Sequence, residues 1–466
     1  MFEEEDRFNE EEDFEPSIQR YEKMLKYNEH YFFDVEEVEI ISDYYLDEGN
    51  LNQAIAALDF GLTLHPKSSD LLLKKSQLLA SIGKLKAAHN LLDQVVSLDG
   101  EMEEIYITRA NLFSQEHKHD KAIEYFLKAL EVTEEFKEEI LMDLAFEYQN
   151  TKDYSSAIDC LKTILKENPE NEAALYELSY CYAQIDLNEE SVNFLNKFIE
   201  KNPYSFTAWY NLGNAYSSLS LHENAIQSYE YCALIEPTFS SAYFNAANSH
   251  VALGNHQRAI ELYEKTFEFE TPQASTHNYI GECYEKLEQF EKAEEHFRKA
   301  LEVDNNFSDA WIGLAIAKDN QGLEKEAIGL IEQAIGIDAE NSDYWYIYAE
   351  SLEKNKRIDD ALKAYEKALQ ISPYNVILIL DASEFIERNF DLEEAIDLIK
   401  KYPVADQKIF YRLAALHLKS GKIQEALNFI EAALKRDKQN IHLLTDYYPE
   451  ALQFEQVVEL INQYKK

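Results

Sequence analysis

Glycine, proline, cysteine and tryptophan are scarce in this chain of 466 residues, which has only 12 glycines, 9 prolines, 4 cysteines and 3 tryptophans. So few glycines and prolines exclude a long flexible linker. The four cysteines, Cys160, Cys181, Cys232 and Cys283, form no Cys-x-x-Cys pair, so the sequence predicts no metal site built on paired cysteines. Cysteine usage of this kind is simplest to explain by a reducing cytoplasm.

Long hydrophobic runs are also missing, and no segment approaches the length of a membrane-spanning helix. Residues 1–6 carry four acidic side chains, which is the opposite of the basic start of a secretory signal. We therefore predict a cytoplasmic location and no membrane partner.

Basic residues are half as numerous as acidic residues, 44 against 88, and the formal net charge is -44. This charge repels phosphate backbones and anionic lipid surfaces, so nucleic acid and membranes are not expected as partners. Two interpretations of the acidic surface remain open: it only keeps the chain soluble, or it attracts a basic ligand.

The sequence does contain a period of 34 residues. Trp209, Trp311 and Trp345 share one phase of it, separated by three periods and then by one. Alanine marks a second phase, at steps of 34 or its double apart from one step of 35 and a last step of 31. These alanines are Ala54, Ala88, Ala122, Ala157, Ala225, Ala259, Ala293, Ala327, Ala361, Ala395 and Ala426, and Ser191 fills the one vacant position. A repeating fold follows.

Each period contains two apolar patterns at helical spacing with a short polar turn between them, which predicts two antiparallel helices. One example runs Tyr279, Ile280, Cys283, Tyr284, Leu287 and then Ala293, Phe297, Ala300, Leu301. Five prolines share the phase at which the second helix should stop, namely Pro66, Pro169, Pro203, Pro237 and Pro373. A proline ring removes a donor and clashes with a continuing helix, so it ends each unit.

The best copy of the period, residues 206–239, carries Trp209, Leu212, Gly213, Tyr216, Ala225, Tyr229, Cys232 and Pro237. This order of large and small residues resembles the tetratricopeptide repeat, and the resemblance covers roughly residues 17–464. It implies an all-α fold, an α-solenoid of stacked helix-turn-helix repeats that forms a right-handed superhelix. Alanine or serine often replaces the glycine, and leucine, tyrosine or phenylalanine often replaces the tryptophan.

Counting phases gives the expected domain organisation. Residues 1–15, with nine acidic side chains, are predicted to be a disordered tail. Residues 16–34 form a half repeat, 35–375 hold ten units, and 376–440 hold two more, of which the first is short by three residues. Residues 441–466 are predicted to be a helical cap that shields the end of the solenoid.

In the resembled family, the first helix of each unit lines a concave groove. The residues that face this groove are those at the second, fifth, sixth, ninth and twelfth positions of the unit, which we call its phases. Asn211 and Asn214, and Asn245 with Asn248, hold equivalent sixth and ninth phases. They look like the asparagine ladder of the repeat domain of O-linked N-acetylglucosamine transferase, which implies that they hold the backbone of an extended peptide. Packing between helices is the alternative.

Aromatic and acidic side chains occupy the same phases in other units. Tyr176, Tyr180, Tyr210 and Phe244 are candidates for an aromatic floor, with packing between units as the alternative. Farther along, the groove phases become acidic and predict a surface that attracts a basic segment, unless they are only solvated. The candidate residues are Glu282, Glu285, Glu350 and Glu353, and Asp309, Asp319 and Asp343 add to them.

No phosphate loop, nucleophile elbow or metal motif is present, so we expect no enzyme activity, no cofactor and no metal site. His117 and His119 flank Lys118 at a turn, where surface histidines are the expected interpretation and metal binding the alternative. The fifth phases carry no lysine or arginine, so the clamp by which some family members bind acidic chaperone tails is not predicted. The sequence predicts a protein-interaction scaffold; the alternative is a regulatory or substrate-recruiting subunit of an enzyme assembly. Self-association stays open.

Overall fold

Consecutive short helices, most of them 13 or 14 residues long, make up the part of the chain that the structure describes. The computed structural model describes residues 16–99, 103–133 and 137–465, and no strand occurs within these ranges. The helices are α1 (16–27), α2 (Val35–Asp47), α3 (Leu51–Leu64), α4 (Ser69–Ser81), α5 (Leu85–Asp99), α6 (Glu103–Gln115), α7 (His119–Val132), α8 (Lys137–Asn150), α9 (Tyr154–Glu167), α10 (Glu172–Gln184), α11 (Asn188–Lys201), α12 (Phe206–Ser218), α13 (His222–Ile235), α14 (Ser240–Ala252), α15 (His256–Thr266), α16 (Ala274–Lys286), α17 (Phe290–Val303), α18 (Ser308–Asn320), α19 (Glu324–Ile337), α20 (Ser342–Lys354), α21 (Ile358–Ile371), α22 (Val376–Asn389), α23 (Leu392–Lys401), α24 (Gln407–Lys419), α25 (Ile423–Arg436), α26 (His442–Tyr447) and α27 (Glu455–Lys465).

Each even-numbered helix from α2 to α24 packs against the odd-numbered helix that follows it, so the two form a hairpin. We call these the first and second helices of a hairpin. The chain divides into two compact units, Met1–Pro237 and Thr238–Lys466. Within each unit, the second helix of a hairpin contacts the first helix of the next. The prediction of an all-α fold made of stacked helix-turn-helix repeats is therefore confirmed.

The periodic alanines lie where the helices approach most closely. All eleven have at most 1% of their surface exposed, and Ser191 has 2%. Large rings fill the space that these small residues leave. Phe297, for example, is fully buried between Gly281 and Gly313, and a β-carbon added at either glycine would overlap its ring. Small and large residues must alternate here because interiors are close-packed.

The tryptophan phase has one repeated contact. Each indole N–H donates a hydrogen bond to the carbonyl oxygen of the residue six positions earlier, just before the first helix begins. Trp209 binds Pro203 at 2.9 Å, Trp311 binds Asn305 at 3.0 Å and Trp345 binds Ala339 at 2.8 Å. The same phase thus performs the same structural task in three hairpins.

Prolines recur just after helix ends, and residues with left-handed backbone recur in the turns. The five periodic prolines each lie two residues beyond the end of a second helix. In every described hairpin except that of α22 and α23, the turn contains a residue with left-handed backbone, such as Gly254 at φ 75° or Glu288 at φ 57°. Glycine adopts this conformation without the steric penalty that other residues incur.

The ends of the chain and the shortened unit have their own geometry. In the helix at 16–27, Tyr21 is buried among Phe33, Tyr45 and Phe60. The missing residues of the shortened unit fall in α23, which has only 10 residues. The predicted tail at 1–15 lies outside the described residues. No described helix is both long enough and apolar enough to cross a membrane.

Candidate binding surface

The first helices carry the side chains that the sequence assigns to a groove, and we call the surface they present the first-helix face. Protein surroundings raise the pKa of four carboxyl groups there: Glu39 on α2, Asp143 on α8, Glu282 on α16 and Glu350 on α20. In each case partial burial, which disfavours the charged form, is the main cause. All four occupy the fifth, sixth or ninth phase of their unit.

Glu282 keeps access to solvent although surrounding protein partly desolvates it. Its Oε1 accepts a hydrogen bond of 2.7 Å from the Asn278 side chain, which opposes the rise in pKa, while the charges of Asp309 and Glu285 add to it. Asn278 itself is 3% exposed, and its Oδ1 has no hydrogen-bond partner. Glu285 makes only a long ion pair of 3.4 Å with Lys286.

A cleft of about 340 Å³ opens between α18 and α20. Its lining residues are Ala315, Ile316, Asp319, Ala327, Ile331, Ile347, Glu350, Ser351 and Lys354. The Asp319 Oδ2 atom forms an ion pair of 2.8 Å with Lys354, but its Oδ1 atom is buried without a hydrogen-bond partner. The Ser351 hydroxyl is buried without a partner as well. The cleft therefore combines an aliphatic floor with an acceptor that nothing satisfies.

Glu350 at the edge of this cleft belongs to an acidic cluster. The Tyr346 hydroxyl lies 2.9 Å from Oε1 of Glu350 and 2.9 Å from Oδ2 of Asp381. A phenol has one hydrogen to donate, so it serves one carboxylate at a time. The charges of Asp381 and Glu353 add to the raised pKa of Glu350. Sequence reasoning missed Asp381, although its sixth phase one unit after Tyr346 was a signal that could have found it.

Glu353 differs from the other acidic candidates because basic and amide groups already surround it. The Arg388 guanidinium lies 3.1 Å from its Oε2, and the Asn389 amide donates a bond of 2.9 Å to its Oε1. Glu282 and Glu350 thus keep acceptor capacity that Glu353 has lost.

The asparagines predicted to form a ladder have unequal surroundings. Asn211 is 2% exposed, and its amide nitrogen lies 3.4 Å from the carbonyl oxygen of Leu175 in the preceding hairpin, which favours the packing alternative for this residue. Asn214 accepts a 2.8 Å hydrogen bond from the Tyr229 hydroxyl of its own hairpin. Asn248 is exposed and accepts the equivalent bond from Tyr263, and Asn245 is half-buried.

The predicted aromatic floor is partly accessible. Tyr176 and Tyr180 are 36% and 48% exposed, and the Tyr176 ring meets Tyr210 edge-on at 6.3 Å. Phe244 packs in its own unit against Tyr263 and Tyr279, with ring centroids 5.4 and 5.8 Å away. Tyr176 and Tyr180 therefore offer ring surface to a ligand, and Phe244 is chiefly a packing residue.

The His117–Lys118–His119 turn has a structural partner. The His119 Nδ1 atom lies 2.7 Å from a carboxylate oxygen of Glu147, a residue of α8 that is 4% exposed. His117 is exposed, whereas His119 is half-buried and has this carboxylate partner. Across the described ranges, no cluster of three histidine, cysteine, aspartate or glutamate side chains is arranged to hold a metal ion.

Sequence profiles described as tetratricopeptide repeat match most of the chain. The matched residues are 45–112, 103–136, 151–215, 206–239, 240–269, 274–307, 312–376 and 407–440. The chain belongs to the tetratricopeptide repeat family. No curated protein matches it.

Several solved structures of this repeat family are similar to the chain. YrrB, described as a TPR protein with an unusual peptide-binding site, is 24% identical over 41% of this chain and 97% of its own, with a TM-score of 0.33. The APC/C hetero-tetramer Cut9–Hcn1 gives 14% identity over 92% and 90%, with a TM-score of 0.38. A tetratricopeptide repeat protein from Parabacteroides merdae gives 16% over 54% and 99%, with a TM-score of 0.43.

Proposed function

We propose that this tetratricopeptide repeat protein is an interaction scaffold that binds a basic segment of a partner protein on its first-helix face. The observation that carries this proposal is the cleft between α18 and α20. It holds a buried, unsatisfied Asp319 oxygen beside Glu350, whose pKa is raised by partial burial. A carboxylate that is desolvated without full compensation is a ready partner for a cation.

The shape of the cleft fits a lysine or arginine side chain. Aliphatic residues such as Ile316 and Ile347 form the floor, and the carboxylates lie among the lining. A long basic side chain can bury its methylene stem on such a floor while its charged head reaches the carboxylates. Lys354 forms an ion pair with Asp319 and is half exposed. When the ligand binds, its charged group would replace the Lys354 ammonium beside Asp319.

Other parts of the first-helix face would extend the contact in their own units. Tyr176 and Tyr180 supply accessible rings, and Asn248 an exposed amide. Amides and aromatic rings bind extended backbone with little regard to sequence. The acidic cleft would then provide most of the discrimination in favour of basic segments.

The test is the affinity of the full chain for a fluorescein-labelled, lysine-rich peptide, measured by fluorescence anisotropy at low salt. We expect Asp319→Asn combined with Glu350→Gln to weaken binding about tenfold, which corresponds to about 1.4 kcal/mol. The control is Glu291→Gln with Glu302→Gln, which removes the same charge from exposed positions of α17. Equal affinities for both double variants would show that only net charge attracts the peptide, and the proposed cleft would be wrong.

A further inference from the structure

A cluster of basic side chains is unexpected in a chain of net charge -44, yet four lysines surround one cleft of about 300 Å³ between the second helices α9 and α11. Lys162 and Lys166 project from α9, and Lys197 and Lys201 project from α11. Each pair is four residues apart and so lies on one face of its helix. We call this the lysine cleft.

None of these four lysines has an ion-pair partner among the described residues. By contrast, Lys137 at the start of the neighbouring α8 pairs with Glu167 at 3.2 Å. Lys166, Lys197 and Lys201 are exposed. The chain has twice as many acidic as basic residues, and four lysines without an ion pair at one place make a local positive field that contrasts with this overall charge.

The floor of the lysine cleft is apolar. Leu165 and Pro169 on the α9 side and Phe194 and Phe198 on the α11 side complete its lining together with Asn202. The two phenylalanine rings stack with centroids 6.1 Å apart. The ammonium of Lys162 lies 5.8 Å from the centroid of Phe194, within the range of a cation–π contact.

A second depression of about 550 Å³ continues from the lysine cleft and shares Pro169, Lys201 and Asn202 with it. It adds Tyr204, which is 83% exposed. Glu170 and Glu172 also line it, so the positive charge ends there. An occupant that runs along both depressions meets lysines first and an exposed aromatic ring afterwards.

We propose that the lysine cleft binds an acidic segment of a partner protein, one in which carboxylates alternate with aromatic or aliphatic side chains. The carboxylates would pair with the lysines and the apolar side chains would cover the phenylalanine floor. The repulsion from distant carboxylates is screened beyond about 10 Å at 0.1 M salt, so the local lysines decide whether a short acidic peptide stays bound.

A phosphate or nucleic-acid ligand fits this cleft less well. Its lining contains no arginine, the residue that binds phosphate in a bidentate manner. Lys166 and Lys201 lie in the last turns of α9 and α11, where the helix dipole presents its negative end. That dipole opposes a compact anion, whereas a peptide spreads its charges along both helices.

This site is independent of the acidic cleft in the proposed function, because it lies on second helices of the other unit and has the opposite charge. One chain would then hold a basic segment through α18 and α20 and an acidic segment through α9 and α11.

The test uses the full chain and a fluorescein-labelled synthetic peptide of glutamates with interspersed phenylalanines, followed by fluorescence anisotropy. We expect Lys197→Glu with Lys201→Glu to weaken binding at least about tenfold. The matched control is Lys363→Glu with Lys367→Glu, which has the same spacing on α21 but alters lysines paired with Asp360 and Glu340. That control should change the affinity less than about twofold.

Two further measurements separate the alternatives. A peptide whose phenylalanines are replaced by serine should bind several-fold more weakly if the floor is used, and circular dichroism should show that both double variants remain folded. Should the first variant unfold, Lys162→Gln with Lys197→Gln replaces it. Equal loss with both double variants, tighter binding of a single-stranded oligonucleotide than of the peptide, or self-association abolished by Lys197→Glu with Lys201→Glu would each overturn the proposal.

Discussion

At the scale of single residues, the fold depends on a few close contacts between rings and residues without a β-carbon. Phe297 is the clearest case, because glycines from its own hairpin and from the next one contact the same ring. The residue type matters at these positions because two neighbouring helices cannot move apart to admit a larger side chain without losing packing contacts along their whole length.

We expect Gly313→Ala to lower the free energy of unfolding by about 1–3 kcal/mol, because the added methyl group would overlap the Phe297 ring. Gly329→Ala is the matched control: that glycine lies in helix α19, and a β-carbon added there would have no neighbouring atom within 4 Å. It should raise stability by about 0.5–1 kcal/mol through helix propensity. Urea denaturation followed by circular dichroism measures both changes, and a loss of equal size at both glycines would contradict the packing argument.

At the scale of the hairpin, the turn between the two helices contains one residue with left-handed backbone in each described hairpin except that of α22 and α23. Glycine fills this position at Gly254 and Gly322, in the hairpins before and after the one in which Glu288 fills it. A side chain with a β-carbon is disfavoured in this conformation by about 1–2 kcal/mol.

Glu288→Gly should therefore stabilise the hairpin of α16 and α17. Relief of the backbone strain is partly offset by the greater freedom of glycine in the unfolded chain, so we expect a net gain of about 0.5 kcal/mol. The reverse change, Gly322→Glu, should cost about 1 kcal/mol for the same reason. Thermal denaturation of the two variants beside the parent chain tests this, and a shift of the melting temperature in the same direction for both would refute it.

At the scale of the whole molecule, the titration of carboxyl groups sets the dependence of stability on pH. Carboxyl groups whose pKa is raised in the folded chain, among them Glu282 and Glu350, destabilise the fold when they are charged. This free-energy penalty is lost as the pH falls from their folded-state pKa towards their pKa in the unfolded chain. Groups with a lowered pKa, such as Glu294 and Glu387, stabilise the folded chain above their unfolded pKa and lose that contribution at lower pH.

We therefore expect the penalty from Glu282 and Glu350 to shrink as pH falls from 7 to about 5. Burial lowers the pKa of His277, His296 and His417, so these histidines destabilise the folded chain over the same range and oppose that gain. Below about 4 the melting temperature should fall. Glu282→Gln with Glu350→Gln should raise the melting temperature above that of the parent chain at pH 7 and raise it by less at pH 5, while leaving the decline below pH 4 unchanged. Scanning calorimetry across this range is the measurement. A double variant that is less stable than the parent at pH 7 would show that these carboxylates stabilise the fold.

The sequence was most informative where a contact is repeated. Each alanine of the 34-residue phase is buried, and the tryptophans make the same bond in three hairpins, because a repeated local environment selects the same residue each time. The candidate surface was harder to predict. Their positions in the repeat put Glu350 and Glu353 on the same face of one helix. Only the fold shows that Arg388, 35 residues farther along the chain, forms an ion pair with Glu353.

The amino-acid sequence by itself determined that the chain is a series of helical hairpins, because periodic small and large residues can be buried only by stacking one hairpin on the next. Tertiary structure decided which side chains remain available to a ligand. The unsatisfied oxygen of Asp319 and the unpaired lysines beside Phe194 both depend on which neighbours arrive from adjacent hairpins, and desolvation and ion pairing are set by these neighbours in space.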